Sequence, residues 1–311
     1  MISAKYLGSA AVLALGVAGP ALADADACKL VRMSDLGWTD ISFTNATAEM
    51  VLKALGYEVT NTLLGLDVTY VSLQSNEMDV FQGNWRPFQD EQYGKFFDDG
   101  SVEVLGTNLE GAKYTLVVPD YVADAGVKSF DDLAAHADQF ESAIYAIEPG
   151  SNQPLLDMVA ADRHGLGKWN IVESSEAGML AQAERDITDG KWIAFLGWAP
   201  HPMNINYKLT YLEGGDLEFG PNFGGATVHT ISRKGYAADC PNVAKFFGNL
   251  AFDVDYESKG MQMIMGDGQS PVDAATAMLM AEPARLDKWL DGVTTLSGEP
   301  ALPVAKAALG L

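Results

Sequence analysis

The stretch Lys29-Leu30-Val31-Arg32-Met33-Ser34-Asp35-Leu36-Gly37-Trp38-Thr39-Asp40-Ile41 decides the fold. Its first five residues form a largely apolar run that reads as a strand. A helical pattern follows from Phe43 to Leu55, with Thr44 or Asn45 as N-cap and Gly56 as the C-terminal stop. The turn between them carries a Trp and an Asp two residues apart. Strand-to-helix turns of this kind face the ligand crevice of open α/β sheets. An aromatic face attracts a cation, and a carboxylate accepts a hydroxyl proton. Trp38 and Asp40 therefore suggest one wall of a pocket, with later segments supplying the others.

The same alternation continues outward. Tyr57 to Leu63 and Asp79 to Pro87 read as strands, and Phe88 to Phe97 as a helix. Val102 to Leu105 is a short strand, Gly106 to Ala112 a first crossing between lobes, and Tyr114 to Pro119 the next strand. The βα pattern then restarts. Ala143 to Ile147 leads into the turn Glu148-Pro149-Gly150-Ser151-Asn152, whose backbone N–H groups open a helix and point at whatever lies in front. Glu176 to Asp189 is helical, Lys191 to His201 a strand, and Gly214 to Gly225 the return crossing. Thr227 to Ser232 is a further strand. Asn242 to Phe252, Tyr256 to Met265 and Pro271 to Leu290 read as helices. Strands alternating with helices predict an α/β fold with mainly parallel sheets. Two crossings predict two lobes: 24–111 and 221–311 in the first, 112–220 in the second.

Composition narrows the function. The 311 residues carry a formal net charge of −22, with 48% hydrophobic and 20% charged residues. A packed core is expected, and the absence of a basic stripe argues against a nucleic-acid partner. Residues 1–23 read as a cleaved secretory signal: Lys5, an apolar run from Tyr6 to Ala18, then Ala21-Leu22-Ala23 as the small-x-small site. The run is shorter than the roughly 20 residues that span a bilayer. Export to an oxidising compartment makes a Cys28–Cys240 disulfide the natural reading. Lipidation of Cys28, which Asp26 opposes, and two free thiols are the alternatives.

Three Trp residues recur in one context, directly after a strand: Trp38, Trp85 in Gly83-Asn84-Trp85-Arg86-Pro87, and Trp198 in Leu196-Gly197-Trp198-Ala199-Pro200-His201. Tyr114 opens a strand beside a crossing. Aromatics at strand ends line a cleft or pack the core, and Trp169, Trp192 and Trp289 are read as packing. A quaternary ammonium group has no N–H to donate, so aromatic faces are what can hold it.

These segments, with Lys113-Tyr114-Thr115-Leu116 and Glu148-Pro149-Gly150-Ser151-Asn152, resemble the substrate-binding proteins of ABC importers for betaines and choline. The resemblance covers the chain beyond the signal. It implies a two-lobed periplasmic binding protein fold of type II, two crossovers, and a ligand in the interlobe cleft. It places Trp38, Trp85, Tyr114 and Trp198 as an aromatic box, Asp40 beside the ligand's other end, and Asn152 as a polar partner for a hydroxyl. Ser151 is the substitute for Asn152, and the family's paired cysteines correspond to Cys28 and Cys240. His201 either orients a pocket residue or supports the fold.

The implied function is a periplasmic choline-binding protein that serves an inner-membrane ABC permease and acts as a monomer, without cofactor or metal. Choline ends in a hydroxyl that Asp40 can accept; glycine betaine and proline betaine end in a carboxylate that it repels. Arg86 and Lys113 are the cations nearest the box in sequence, and neither is required to point inward. An enzyme acting on a choline ester is the rival reading. No Gly-x-Ser-x-Gly elbow, His-Glu-x-x-His pair or phosphate loop supports it. A solute sensor docking a membrane receptor is a third reading.

Overall fold

Residues 26–311 are described by the structure, a computed structural model; the predicted signal lies outside them. The strands are β1 (Leu30–Asp35), β2 (Glu58–Leu63), β3 (Val80–Arg86), β4 (Val102–Pro119), β5 (Ala143–Ala146), β6 (Asn170–Glu173), β7 (Phe195–Ala199), β8 (Leu209–Tyr211) and β9 (Gly225–Arg233). They run in the order β2-β1-β3-β9-β4-β7-β5-β6, with β8 paired to β4. β1 is parallel to β2 and β3, and β5 is parallel to β6 and β7. These two βα groups form the two lobes. The strands that join them are antiparallel: β9 to β3 and β4, and β4 to β7 and β8. The expectation of mainly parallel sheets therefore holds for the outer groups and fails at the centre.

Gly106 to Ala112, read from the sequence as a crossing between lobes, takes the form of continuous strand. It is the middle of β4, an 18-residue strand. Its register against β9 shifts at three places, between Val104 and Gly106, Thr107 and Leu109, and Leu109 and Ala112. Bulges absorb extra residues and bend a strand while pairing continues on either side. The glycines that read as a chain crossing instead let one strand serve both lobes.

The helix α1 spans Thr39–Ala54, so it starts four residues before the predicted Phe43. Asp35 Oδ1 accepts the Gly37 N–H at 2.7 Å, and Gly37 takes φ +79°, which favours glycine. That tight turn leaves Trp38 at the N-cap and Asp40 in the first helical turn, where a carboxylate suits the helix dipole. Thr44 and Asn45, predicted as caps, lie inside the helix. Asn45 Nδ2 donates to Ser34 O at 2.9 Å and Thr44 Oγ1 to Ile41 O at 3.2 Å.

The first lobe's core gathers Phe43, Tyr70, Phe81, Phe246, Phe247, Tyr256 and Trp289, and the second's Phe130, Ile144, Leu166 and Phe195, all essentially sealed from solvent. Each such side chain contributes about 1.5–3 kcal/mol by burial. The helices Val254–Met265 and Pro271–Ala281 cover α1. The helix predicted for Pro271 to Leu290 is two, Pro271–Ala281 and Arg285–Trp289, broken around Pro283. Cys28 and Cys240 form the disulfide, with Cα atoms 5.6 Å apart and a sequence separation of 212. That settles the thiol alternatives. Among the described residues, no helix is long and apolar enough to cross a membrane.

Candidate functional site

One pocket between the lobes is lined by Trp38, Asp40, Trp85, Phe88, Gln89, Tyr114, Ile147, Ser151 and Trp198, around about 370 Å³ of space that includes some open solvent. The structure thus brings together all four predicted aromatics with Asp40 and Ser151. Each arrives by a different route. Trp38 caps α1, Trp85 lies near the end of β3, Tyr114 follows the centre of β4, and Trp198 lies on β7. Tyr114 and Trp198 are direct cross-strand partners, which fixes their rings 6.4 Å apart; Trp85 stands 6.4 Å from Tyr114 on the other side. Gly197 makes this possible, because a Cβ there would fall 2.5 Å from Val117 Cγ1.

All four rings are at most 7% exposed, so the lobes are closed over the pocket. Phe88 and Phe219 brace Tyr114 at 4.5 and 5.6 Å. Burial and the nearby Glu148 push the Tyr114 hydroxyl well above its ordinary range, so it stays a neutral phenol. Trp169 packs on Phe140 and Trp289 on Phe252, away from the pocket, as read from the sequence.

Asp40 is 4% exposed, and its Oδ1 has no hydrogen-bond partner although it is sealed from water. Desolvation, with Glu176 as the next cause, pushes its carboxyl up to about 7. An unpartnered buried carboxylate oxygen costs stability, and here it lines the pocket. Trp85 Nε1 is likewise buried without a partner.

Asn152 is not among the lining residues. Its amide donates to Ile147 O, Glu148 O and Glu173 Oε1 at 2.8–3.0 Å, so it holds the turn that presents Ser151. His201 also stands behind the pocket. Its ring lies 4.8 Å from the Trp198 ring, edge to face. Its Nδ1 accepts the Met203 N–H at 2.9 Å, which leaves Nε2 to donate to Glu176 Oε1 at 2.9 Å. Arg86 is turned to Asp90 (2.6 Å) and Lys113 lies over Tyr211 (5.6 Å); neither lines the pocket.

The sequence reading missed Phe88, Gln89 and Ile147, and gave no role to Glu148 or Glu176. Phe88 and Gln89 directly follow the quoted Trp85-Arg86-Pro87, so proximity to a box residue was the available signal. Gln89 anchors the floor: its Nε2 donates to Gly83 O, and its Oε1 accepts from Tyr70 and Asn84. Glu148 and Glu176 reach across the cleft. Glu148 Oε1 accepts from Trp38 Nε1 at 2.6 Å and from Ser151 Oγ at 2.8 Å. Glu176 Oε2 accepts the Thr39 N–H at 2.8 Å. Among the described residues, no cluster of His, Cys, Asp and Glu fits a metal ion.

Comparison with known proteins places the chain in one family. Residues 29–281 match the model of the substrate binding domain of ABC-type glycine betaine transport systems. An ABC-transporter choline binding protein solved in complex with choline is 49% identical, with a TM-score of 0.91 over 92% of this chain and 100% of that one. An unliganded semi-closed structure of an ABC-transporter choline binding protein, also 49% identical and with the same coverage, superposes with a lower TM-score of 0.84. The lactococcal OpuAC in its closed-liganded conformation with glycine betaine is 28% identical, with a TM-score of 0.75 over 84% of this chain and 99% of that one. The arrangement is the two-lobed type II periplasmic binding protein fold, and the chain belongs to the family of substrate-binding domains of ABC-type glycine betaine transport systems.

Proposed function

We propose that this protein captures choline in the interlobe cleft and delivers it to an ABC permease. Trp38, Trp85, Tyr114 and Trp198 hold the trimethylammonium head, and Asp40 accepts the hydroxyl. Ser151 is the polar lining residue from the second lobe, with Asn152 setting its turn. The observation that carries the reading is Asp40 Oδ1, a buried carboxylate oxygen without a partner in a pocket walled mainly by aromatic rings. A hydroxyl satisfies it in a charge-assisted hydrogen bond. A betaine carboxylate would meet it with like charge, and no Arg or Lys lines the pocket to compensate. Support also comes from the choline complex at 49% identity.

The reading includes a periplasmic location after removal of residues 1–23, a monomeric state, and transport rather than catalysis. It divides the chain into a first lobe of 24–111 and 221–311 and a second of 112–220. Calorimetric titration with choline, glycine betaine and proline betaine tests it. Tight binding of choline and weak binding of both betaines is expected. Preference for a betaine would refute the assignment of Asp40.

A further inference from the structure

Three carboxyls stand behind the pocket without lining it. Glu148 is partly buried, and Glu176 and Glu257 are each 3% exposed. Glu148 and Glu176 bond across the cleft to Trp38 and Thr39, the two residues before Asp40. Glu257 lies on the helix Val254–Met265, packed against α1, and Asp40 is the charge nearest it in effect. The hydrogen-bond partners of Glu148 and Glu176 are an indole, a hydroxyl, a backbone amide and an imidazole. Among the described residues, neither forms an ion pair with Lys or Arg, and neither do Asp40 and Glu257. His201 supplies Glu176 with a hydrogen bond through Nε2 while its Nδ1 serves as an acceptor. Closing the lobes therefore brings the second lobe's carboxylates against Asp40 with no protein cation between them.

We infer that Glu148 and Glu176 are specificity-determining residues that set the site's demand for a net positive ligand, acting through Trp38 and the first turn of α1 rather than by contact. The inference rests on the choline reading. An aromatic box grips methyl groups whether or not they carry charge, because much of that grip is burial of apolar surface. Discrimination by charge needs a field, and a field from carboxylates screened by rings instead of water acts over several ångströms. A cation offsets the repulsion that closure creates. A neutral molecule of the same shape leaves it standing, and the lobes close on it less readily.

Glu148 gives the clean test, because one oxygen accepts both of its bonds and an amide oxygen can take the same two. E148Q therefore removes charge and keeps both hydrogen bonds, the interlobe one to Trp38 and the local one to Ser151, whereas E148A removes charge and bonds together. The probes are choline and 3,3-dimethylbutan-1-ol, its uncharged carbon isostere, titrated against the full chain by calorimetry. In E148Q choline affinity is expected to fall on the order of tenfold while the isostere binds more tightly, because the repulsion that opposed closure on it is relieved, so their ratio narrows. E148A is expected to weaken both ligands. E176Q should narrow the ratio too, with an added loss for both, because its two oxygens serve different donors. An unchanged ratio in E148Q overturns the inference while leaving the choline reading intact. Failure of the wild type to bind choline overturns that reading and the inference with it.

Discussion

Replacing Asp40 by Asn and titrating across pH reads the carboxylate directly. Burial, then Glu176, pushes its carboxyl up to about 7, so near neutrality a proton competes with the ligand for it. A bound cation favours the ionised form. The pKa of the complex is thus lower than that of the free site, and affinity must fall as pH drops below about 7, by at most tenfold per unit. Glu176, Asp35 and Glu257 also face this group from the second lobe, β1 and the C-terminal helices, and Glu148 titrates nearby with a raised pKa. The Asn variant isolates Asp40 from them. Attraction between charges at roughly 5 Å is worth about 3 kcal/mol at an effective dielectric of about 20. A hydrogen bond to a charged group is worth about 1.5–3 kcal/mol against about 1 for a neutral one. After the cost of holding that charge buried, the net loss in D40N is about 2–4 kcal/mol, or roughly 30- to 700-fold in choline affinity at pH 8. Calorimetry from pH 5.5 to 8, in two buffers of different ionisation enthalpy, should show proton release in the wild type and little in D40N. An affinity that is flat across this range in both proteins, or equal between them at pH 8, refutes the reasoning.

Further outcomes follow from the same geometry. Trp198→Ala removes a ring that shares the pocket with Tyr114, and a loss of about 1–2 kcal/mol or more is expected, roughly a five- to thirtyfold or larger rise in Kd; wild-type affinity would remove Trp198 from the box. Acetylcholine lacks the hydroxyl that Asp40 accepts, so it should bind more weakly than choline, and D40A should shrink that preference in competition titrations. Breaking the Cys28–Cys240 link with the double Ser variant should cost about 2–5 kcal/mol of stability in the chain-entropy picture, read by thermal unfolding, while choline affinity changes little because the bond lies at the start of the first lobe and not at the pocket.

Much of the pocket was legible because its residues sit in local signals. A strand, then a Trp, then a Pro or a helix start can be read from a dozen residues. The βα alternation of each lobe was readable for the same reason. What escaped depended on pairing over long sequence distances. The shifted register between β4 and β9 makes the crossing at Gly106 to Ala112 a continuous strand, which no local signal showed because nothing local distinguishes a bulge from a turn. The early start of α1 escaped because its first N–H groups are completed from elsewhere, Thr39 by Glu176 more than 130 residues away. Ser151 and Asn152 are neighbours of similar chemistry, and no local signal separates Ser151, which lines the pocket, from Asn152, whose Nδ2 is taken up by Ile147, Glu148 and Glu173 while its Oδ1 is buried without a partner.

The long strand β4 has a mechanical consequence. Lys113 pairs with Gly225 on one side and Ala199 on the other, so it is where the strand passes from β9 to β7, and Tyr114 is the next residue. A beam that flexes between two rigid bodies behaves as a leaf spring, and Tyr114 sits beside its pivot. Displacement at a pivot is small, but the lobe tips ride on long lever arms. Any rotation of one lobe against the other about this junction moves each atom in proportion to its distance from it, so the ring at Tyr114 shifts least and the lobe tips most.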